Sequence, residues 1–366
     1  MSGPLSPGDV IGDRYHISHY LAEGGMQYVY VAKDQLTERN VALKTPKNSS
    51  AKKRFRRSAI VAAQVNHPNV AKTLDYVRVG DARYLIEELV EGKDLRAALL
   101  HESPFLDPYL AAKVVHHLAR GVAAAHHAGV VHRDLKPTNI MVIGDYSLSE
   151  LKVTDFGIAK MASEELEEAV EGGETSMTTS ATAVGALPYM APEAIERPKE
   201  VGPPADIWSV GAMVYQLLAG RPPFGQGLKA VPDIVAARTP EVPGFLTQSP
   251  QFAPLAREVM DIALSCLKKD PADRPTADQL VERCGDLCYT SSPRRHGYVT
   301  DFRYDAWGFI RSGDESVFFH RECVYGPMPQ VSSRVVFASY EGGGAARALP
   351  VLKLNDAESQ NSPSFR

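Results

Sequence analysis

The sequence predicts an α+β protein in which a small sheet-rich lobe and a large helical lobe precede a small five-stranded β-barrel. Three observations carry this. Residues 10–90 are mostly strand patterns with one helix-like segment, residues 91–288 show helical periodicity, and residues 295–354 return to short aromatic and valine-rich strands. A chain of 366 residues also exceeds what one hydrophobic core normally holds, about 250–300 residues.

The elements follow in order. "YHISHYLA", "YVYVAKD" and "NVALKTP" alternate or are β-branched, with turn residues between them, and read as a three-stranded meander. "KKRFRRSAIVAAQVN" reads as a helix that stops before His67 and Pro68, and "VAKTLDYVRVG" and "ARYLIEEL" supply two more strands. Asp107 and Pro108 then make an N-cap and a first-turn proline. Leu110, Val114 and Leu118 recur at helical spacing, and Gly129 stands where a glycine cap belongs. "DIWSVGAMVYQLLAG" and "PLAREVMDIALSCL" continue the helical lobe. Finally "YVTDFRY", "WGFIRS", "SVFFH", "SRVVFASY" and "RALPVLKL" are short strands separated by turns, the pattern of a small barrel. The polar tail, residues 355–366, has no apolar periodicity and reads as disordered.

Composition narrows the function. With 44% hydrophobic and 23% charged residues and a formal net charge of -4, no general attraction to nucleic acid or membrane is implied. No signal peptide and no apolar run of about 18 residues is present, so the chain reads as cytoplasmic, with no membrane partner. Cys266, Cys284, Cys288 and Cys323 read as reduced thiols; a zinc set drawn from Cys284, Cys288, His320 and Cys323 lacks any tight CxxC.

Chemistry is carried by four separated stretches in order: "LAEGGMQYVYVAKD" with "VALK", then "HRDLKPTN", then "DFG", then "APE". Together with "DIWSVG" and "DRPT" they resemble the protein kinase family, and the "GGM" loop looks like that of the bacterial, eukaryotic-like Ser/Thr kinases. The resemblance implies a bilobal kinase fold over residues 10–288, with ATP and Mg2+ as cofactors and a protein substrate. It places Ala22, Gly24, Gly25, Val29, Ala42, Lys44, Glu87, Glu88, Val90, Asn139 and Asp155 around the nucleotide. Lys44 would hold the α and β phosphates, Asp134 would accept the substrate hydroxyl proton, and Lys136 would neutralise the γ phosphate. Asn139 and Asp155 would hold the metal through hard oxygens. Back-to-back homodimers are common in similar bacterial kinases, so a homodimer is a candidate arrangement.

Three departures stand against the matches. Ala22 and Gln27 replace the first and third glycines of the phosphate loop, which bacterial members often tolerate. Ala186 stands where a threonine usually braces the catalytic loop, a loss of one hydrogen bond worth about 0.5–1.5 kcal/mol. The third is larger: the helix glutamate that usually pairs with the strand lysine should lie ten positions before Pro68, where Ser58 stands, and residues 47–74 contain no acid. A carboxylate does occur where none is expected. "YLIEELVEG" leads into the hinge, and Glu87 falls at the normally apolar gatekeeper position near Lys44. We therefore expect Glu87 to pair with Lys44 in place of the missing glutamate; the alternative is a strand register that turns Glu87 to solvent.

The segment between "DFG" and "APE" holds Thr178, Thr179, Ser180 and Thr182 as phosphorylation candidates, with Arg133 as the receiving cation. Its acidic run is either solvated or paired with Lys52, Lys53, Arg54, Arg56 and Arg57. Residues 295–354 resemble a cold-shock domain, an OB-type barrel, which implies that Phe302, Trp307, Phe309, Phe318 and His320 stack unpaired bases of single-stranded RNA or DNA. Asp301 and Ala306 interrupt that motif, and the alternative use of the face is packing or protein contact. The function expected is Ser/Thr protein kinase; the alternative is a nucleotide-binding pseudokinase acting as a scaffold or nucleic-acid-binding regulator.

Overall fold

The computed structural model describes residues 3–23, 27–47, 55, 59–156 and 185–355. Gly24, Gly25, Ser58, the basic cluster Lys52, Lys53, Arg54, Arg56 and Arg57, the acidic run, the four phosphorylation candidates and residues 356–366 lie outside them.

The small lobe is an antiparallel sheet of β1 (Val10–Ile11), β2 (Tyr15–Glu23), β3 (Gln27–Asp34), β4 (Arg39–Pro46), β5 (Thr73–Val79) and β6 (Ala82–Glu88), in the order β1-β2-β3-β4-β6-β5. One face packs Tyr15, Ile17, Tyr30, Leu43 and Ile86 into a core. Register sets the other face: Ala22, Val29 and Lys44 lie in one row across β2, β3 and β4, and Val31, Ala42 and Glu87 lie in the next row across β3, β4 and β6. Phe55 and residues 59–62 are helical and stop before Pro68.

After β7 (Lys93–Asp94) and a π-helical turn at Arg96–Leu100 comes α1 (Pro108–His127). Asp107 caps it by accepting from the Leu110 amide, and Gly129 follows with φ 72°. Strands β8 (Ile140–Ile143) and β9 (Glu150–Val153) pair antiparallel and carry the chain from "HRDLKPTN" to "DFG". The remaining helices are α2 (Pro192–Glu196), α3 (Pro203–Ala219), α4 (Val231–Ala236), α5 (Ala253–Cys266) and α6 (Ala277–Gly285). Apolar faces of α1, α3 and α5 form the main core around Trp208 and Tyr215.

The C-terminal barrel contains β10 (Arg294–Arg303), β11 (Trp307–Ser312), β12 (Glu315–His320), β13 (Val324–Tyr325), β14 (Arg334–Tyr340) and β15 (Arg347–Lys353). The five long strands match the five sequence patterns; β13, only two residues, carries too little pattern to be read. Order β12-β11-β10-β14-β15 closes through a β12–β15 contact. Gly308 is required there, because a Cβ would come 2.1 Å from the Asp301 carbonyl oxygen and 2.8 Å from Phe319. The barrel is not a tethered bead: Tyr325, Val336, Leu352 and Leu354 belong to the large-lobe core. Arg294 pairs with Asp107 at 2.9 Å, both side chains nearly fully buried.

Candidate active site

Lys44 and Glu87 sit diagonally on the same face of the β4–β6 pair, and both are buried. The Lys44 ammonium donates to Glu87 and, at 2.7 Å, to Asp155 Oδ1. A solvent-facing Glu87 is thereby excluded, and the carboxylate in the apolar strand has its partner. Burial opposes charge on Lys44, but Asp155 and Glu87 together outweigh it and raise its pKa. Burial is the larger influence on Glu87, whose pKa is raised despite Lys44. Asp155 is also penalised by burial, yet Lys44, then His132 and Gln27, hold its pKa below the ordinary value.

Asp155 has φ 64° and Arg133 φ 67°, left-handed conformations that non-glycine residues adopt at a cost. What holds the Arg133 backbone is visible. Asp206 at the start of α3, only 1% exposed, accepts from the amides of His132 (2.8 Å) and Arg133 (2.7 Å), and His126 donates to it at 3.0 Å. The His132 ring accepts from the Asp134 amide through Nδ1, so its Nε2–H donates to the Thr154 carbonyl at 2.8 Å, one residue before Asp155. Phe156 lies edge-on to the same ring.

Around Asp134 the catalytic loop closes on itself. Lys136 Nζ donates to Asp134 Oδ2 at 2.8 Å, and Asn139 Nδ2 donates to the Asp134 carbonyl (2.8 Å) and Oδ2 (3.1 Å). That turns the amide carbonyl of Asn139 away from Asp134. A hard-cation site needs oxygen donors, and the Asn139 carbonyl with the Asp155 carboxylate fits one. Below the cleft, Arg274 forks onto Glu193 at 2.6 and 2.8 Å, fully buried. Beside the hinge, the Glu88 amide donates to Lys72 O and its carboxylate takes Lys152 at 2.8 Å, joining β6 to β9.

Of the sequence-predicted residues, Lys44, Glu87 and Asp155 are brought into contact, as are Asp134, Lys136 and Asn139. Ala22, Val29 and Ala42 share the sheet face that carries Lys44. On the barrel, Trp307, Phe309 and Phe318 cluster with ring centroids about 6 Å apart and partly exposed, and His320 lies opposite Trp307 in register. Phe302 does not join this cluster: it stacks on Phe319 of the barrel core, because the bulge between Val299 and Asp301 shifts the β10 register. Two contributions were missed. Asp206 lies in "DIWSVG", which marked the family without a role, and Gln27, read as a tolerated departure, donates to Asp155 at 2.9 Å.

The fold is that of the protein kinase family. A family model described as "Protein kinase domain" matches residues 15–284, and the chain belongs to that family. It is 31% identical over 290 residues to the probable serine/threonine-protein kinase PknB of Corynebacterium glutamicum, covering 76% of this chain and 43% of that protein. It is 32% identical over 272 residues to the serine/threonine-protein kinase PrkC of Bacillus subtilis, covering 73% and 39%. The chain thus matches about two fifths of the length of these relatives. Its fold is similar to the Mycobacterium tuberculosis PknI kinase domain, with TM-score 0.56 and 21% identity over 78% of this chain and 99% of that one. Among the described residues, no helix is long and apolar enough to cross a membrane.

Proposed function

We propose that this protein transfers the γ-phosphate of Mg-ATP to serine or threonine hydroxyls of a protein substrate. The observation that carries this is Lys44 held between Glu87 and Asp155 beside an intact Asp134, Lys136 and Asn139 loop. Phosphoryl transfer asks the protein mainly to position reactants and stabilise charge. In this reading Glu87 does the work of the absent helix glutamate: its carboxylate fixes the Lys44 ammonium against the nucleotide phosphates. Asp134 accepts the substrate hydroxyl proton, and Lys136, already on Asp134 Oδ2, is placed to follow charge onto the γ phosphate. Asp155 and Asn139 would hold magnesium, which when bound neutralises phosphate charge. Ala22, Val29 and Ala42 would cover the base and sugar, with Glu88 and Val90 offering backbone contacts to adenine.

The barrel, in the same reading, is a cold-shock-like module that binds single-stranded nucleic acid on Trp307, Phe309, Phe318 and His320. The partly exposed cluster supports it, as does Arg303, whose guanidinium lies 5.2 Å from the Trp307 ring centroid; base stacking is worth about 1–3 kcal/mol per base.

The test is label transfer from ATP with magnesium, in autophosphorylation and on a generic basic protein, comparing wild type with Asp134→Asn. Label in wild type that the substitution abolishes is expected. Absence of label in both folded proteins would overturn the enzyme reading in favour of a nucleotide-binding scaffold. For the barrel, oligonucleotide anisotropy should show binding that Trp307→Ala weakens about fivefold to a hundredfold; no binding by wild type would sink it.

A further inference from the structure

Gln27 opens β3, at the position where the kinase resemblance expects the third glycine of the phosphate loop. Here the side chain is long, polar and buried, the residue being 6% exposed. Its Nε2 donates to Asp155 Oδ1 at 2.9 Å, and the same oxygen takes Lys44 Nζ at 2.7 Å. Two donors on one oxygen fix the rotation of the carboxylate about its last bond. They also leave Oδ2 with no donor among the described residues.

The other end of the amide is the more informative. Gln27 Oε1 is buried and has no hydrogen-bond partner among the described residues. A buried acceptor left without a donor is costly, and such atoms commonly mark the place of a bound water or ion. The cation that fits Asp155 and Asn139 takes oxygen ligands and usually keeps several of its waters. Such a water is a strong donor, and none of the described residues supplies one to Gln27 Oε1.

We propose that Gln27 is a positioning residue for the magnesium site. Its N–H end turns Asp155 so that Oδ2 is presented to the cation, and its carbonyl end accepts a hydrogen bond from a water on that cation. The inference rests on Asp155 being a metal ligand, as in the function proposed above.

The experiment follows binding of a fluorescent ADP analogue to the 366-residue protein while magnesium is varied, with a parallel titration in EDTA. Gln27→Leu and the smaller Gln27→Ser should each raise the half-saturating magnesium concentration about tenfold, the loss of roughly one hydrogen bond to a charged group. Nucleotide affinity in EDTA should stay within about twofold of wild type, and the ligand-free melting temperature reports that each variant is folded. Gln27→Met separates metal positioning from simple packing. It keeps the length and bulk of the side chain but has neither the N–H for Asp155 nor the carbonyl acceptor, so its magnesium requirement should rise as in Gln27→Leu, whereas a packing role alone would leave it at the wild-type value. A wild-type magnesium requirement in Gln27→Met, or in Gln27→Leu and Gln27→Ser, overturns the proposal. If Asp155→Asn leaves the magnesium dependence of wild type unchanged, the parent assignment of the metal ligand fails, and Gln27 with it.

Discussion

Glu87 lies on β6 next to Leu85 and Ile86, both fully buried, and its carboxylate is tolerated there because a buried ammonium faces it. Removing one member of a buried pair strands the other. Glu87→Met is therefore expected to lower nucleotide affinity at least about tenfold, since a hydrogen bond to a charged group is worth about 1.5–3 kcal/mol. Ser58→Glu added to Glu87→Met should restore it. Calorimetric nucleotide titration of the three proteins decides, and unchanged affinity in Glu87→Met would remove Glu87 from the lysine's support. A second residue-scale prediction concerns His117. Burial foremost, then Lys113, His116 and Arg120, lower its pKa from 6.5 to about 4. The neutral ring accepts from Asn69, which also donates to Leu151 O on β9. The folded protein binds this proton less tightly than the unfolded chain, so the stability it contributes is full above pH 6.5 and is lost as pH falls toward about 4. Melting temperatures across that window should fall less steeply for His117→Gln. His67 and His116, shifted in the same direction by burial, keep the slope from vanishing.

At the scale of elements, α3 and α5 pack tightly together at Gly211. A Cβ there would lie 2.5 Å from Cys266 Cβ and 2.8 Å from Ala263 O, and the second atom is backbone that cannot step aside. Gly211→Ala should therefore destabilise, by about 1–3 kcal/mol as overpacking usually does, even though alanine favours an isolated helix. Urea denaturation measures it; a variant as stable as wild type would mean the two helices can part freely. The same helix pair matters to the cleft, because Asp206 at the start of α3 carries the catalytic-loop amides.

At the scale of the whole molecule, the barrel completes the large lobe. Tyr325 packs edge-on to Phe105 and Phe252. Arg294 reaches the Asp107 carboxylate that caps α1, and Arg334 meets Glu102 at 3.1 Å. Arg294→Met would leave Asp107 buried without its cation and is expected to cost about 3–5 kcal/mol. One nitrogen of Arg294 is itself buried without a partner among the described residues, which favours the lower end. Because the cores are shared, wild type should unfold in one transition and Arg294→Met should lower that midpoint for both parts. A barrel that melts separately, leaving the lobe unchanged, would refute the coupling. No helix or strand pattern signalled this seam.

What the sequence determined by itself was local and repetitive. Helix α1 was legible because Asp107, Pro108 and the Leu110, Val114, Leu118 stripe are signals within one segment, and the strands were legible because alternation is local too. The stretches that carry the candidate site were legible as "HRDLKPTN" and "DFG", and a single odd carboxylate in an apolar strand was enough to anticipate the Lys44–Glu87 contact. Only the tertiary structure decided which residues far apart in the chain complete those groups. Gln27 meets Asp155 across 128 positions, and Arg294 meets Asp107 across 187. Phe302 likewise turned into the barrel core at a bulge that alternation cannot foresee. The physical reason is common to all three: periodicity reports which face a residue occupies, whereas the partner of a polar or aromatic side chain depends on how separate elements pack.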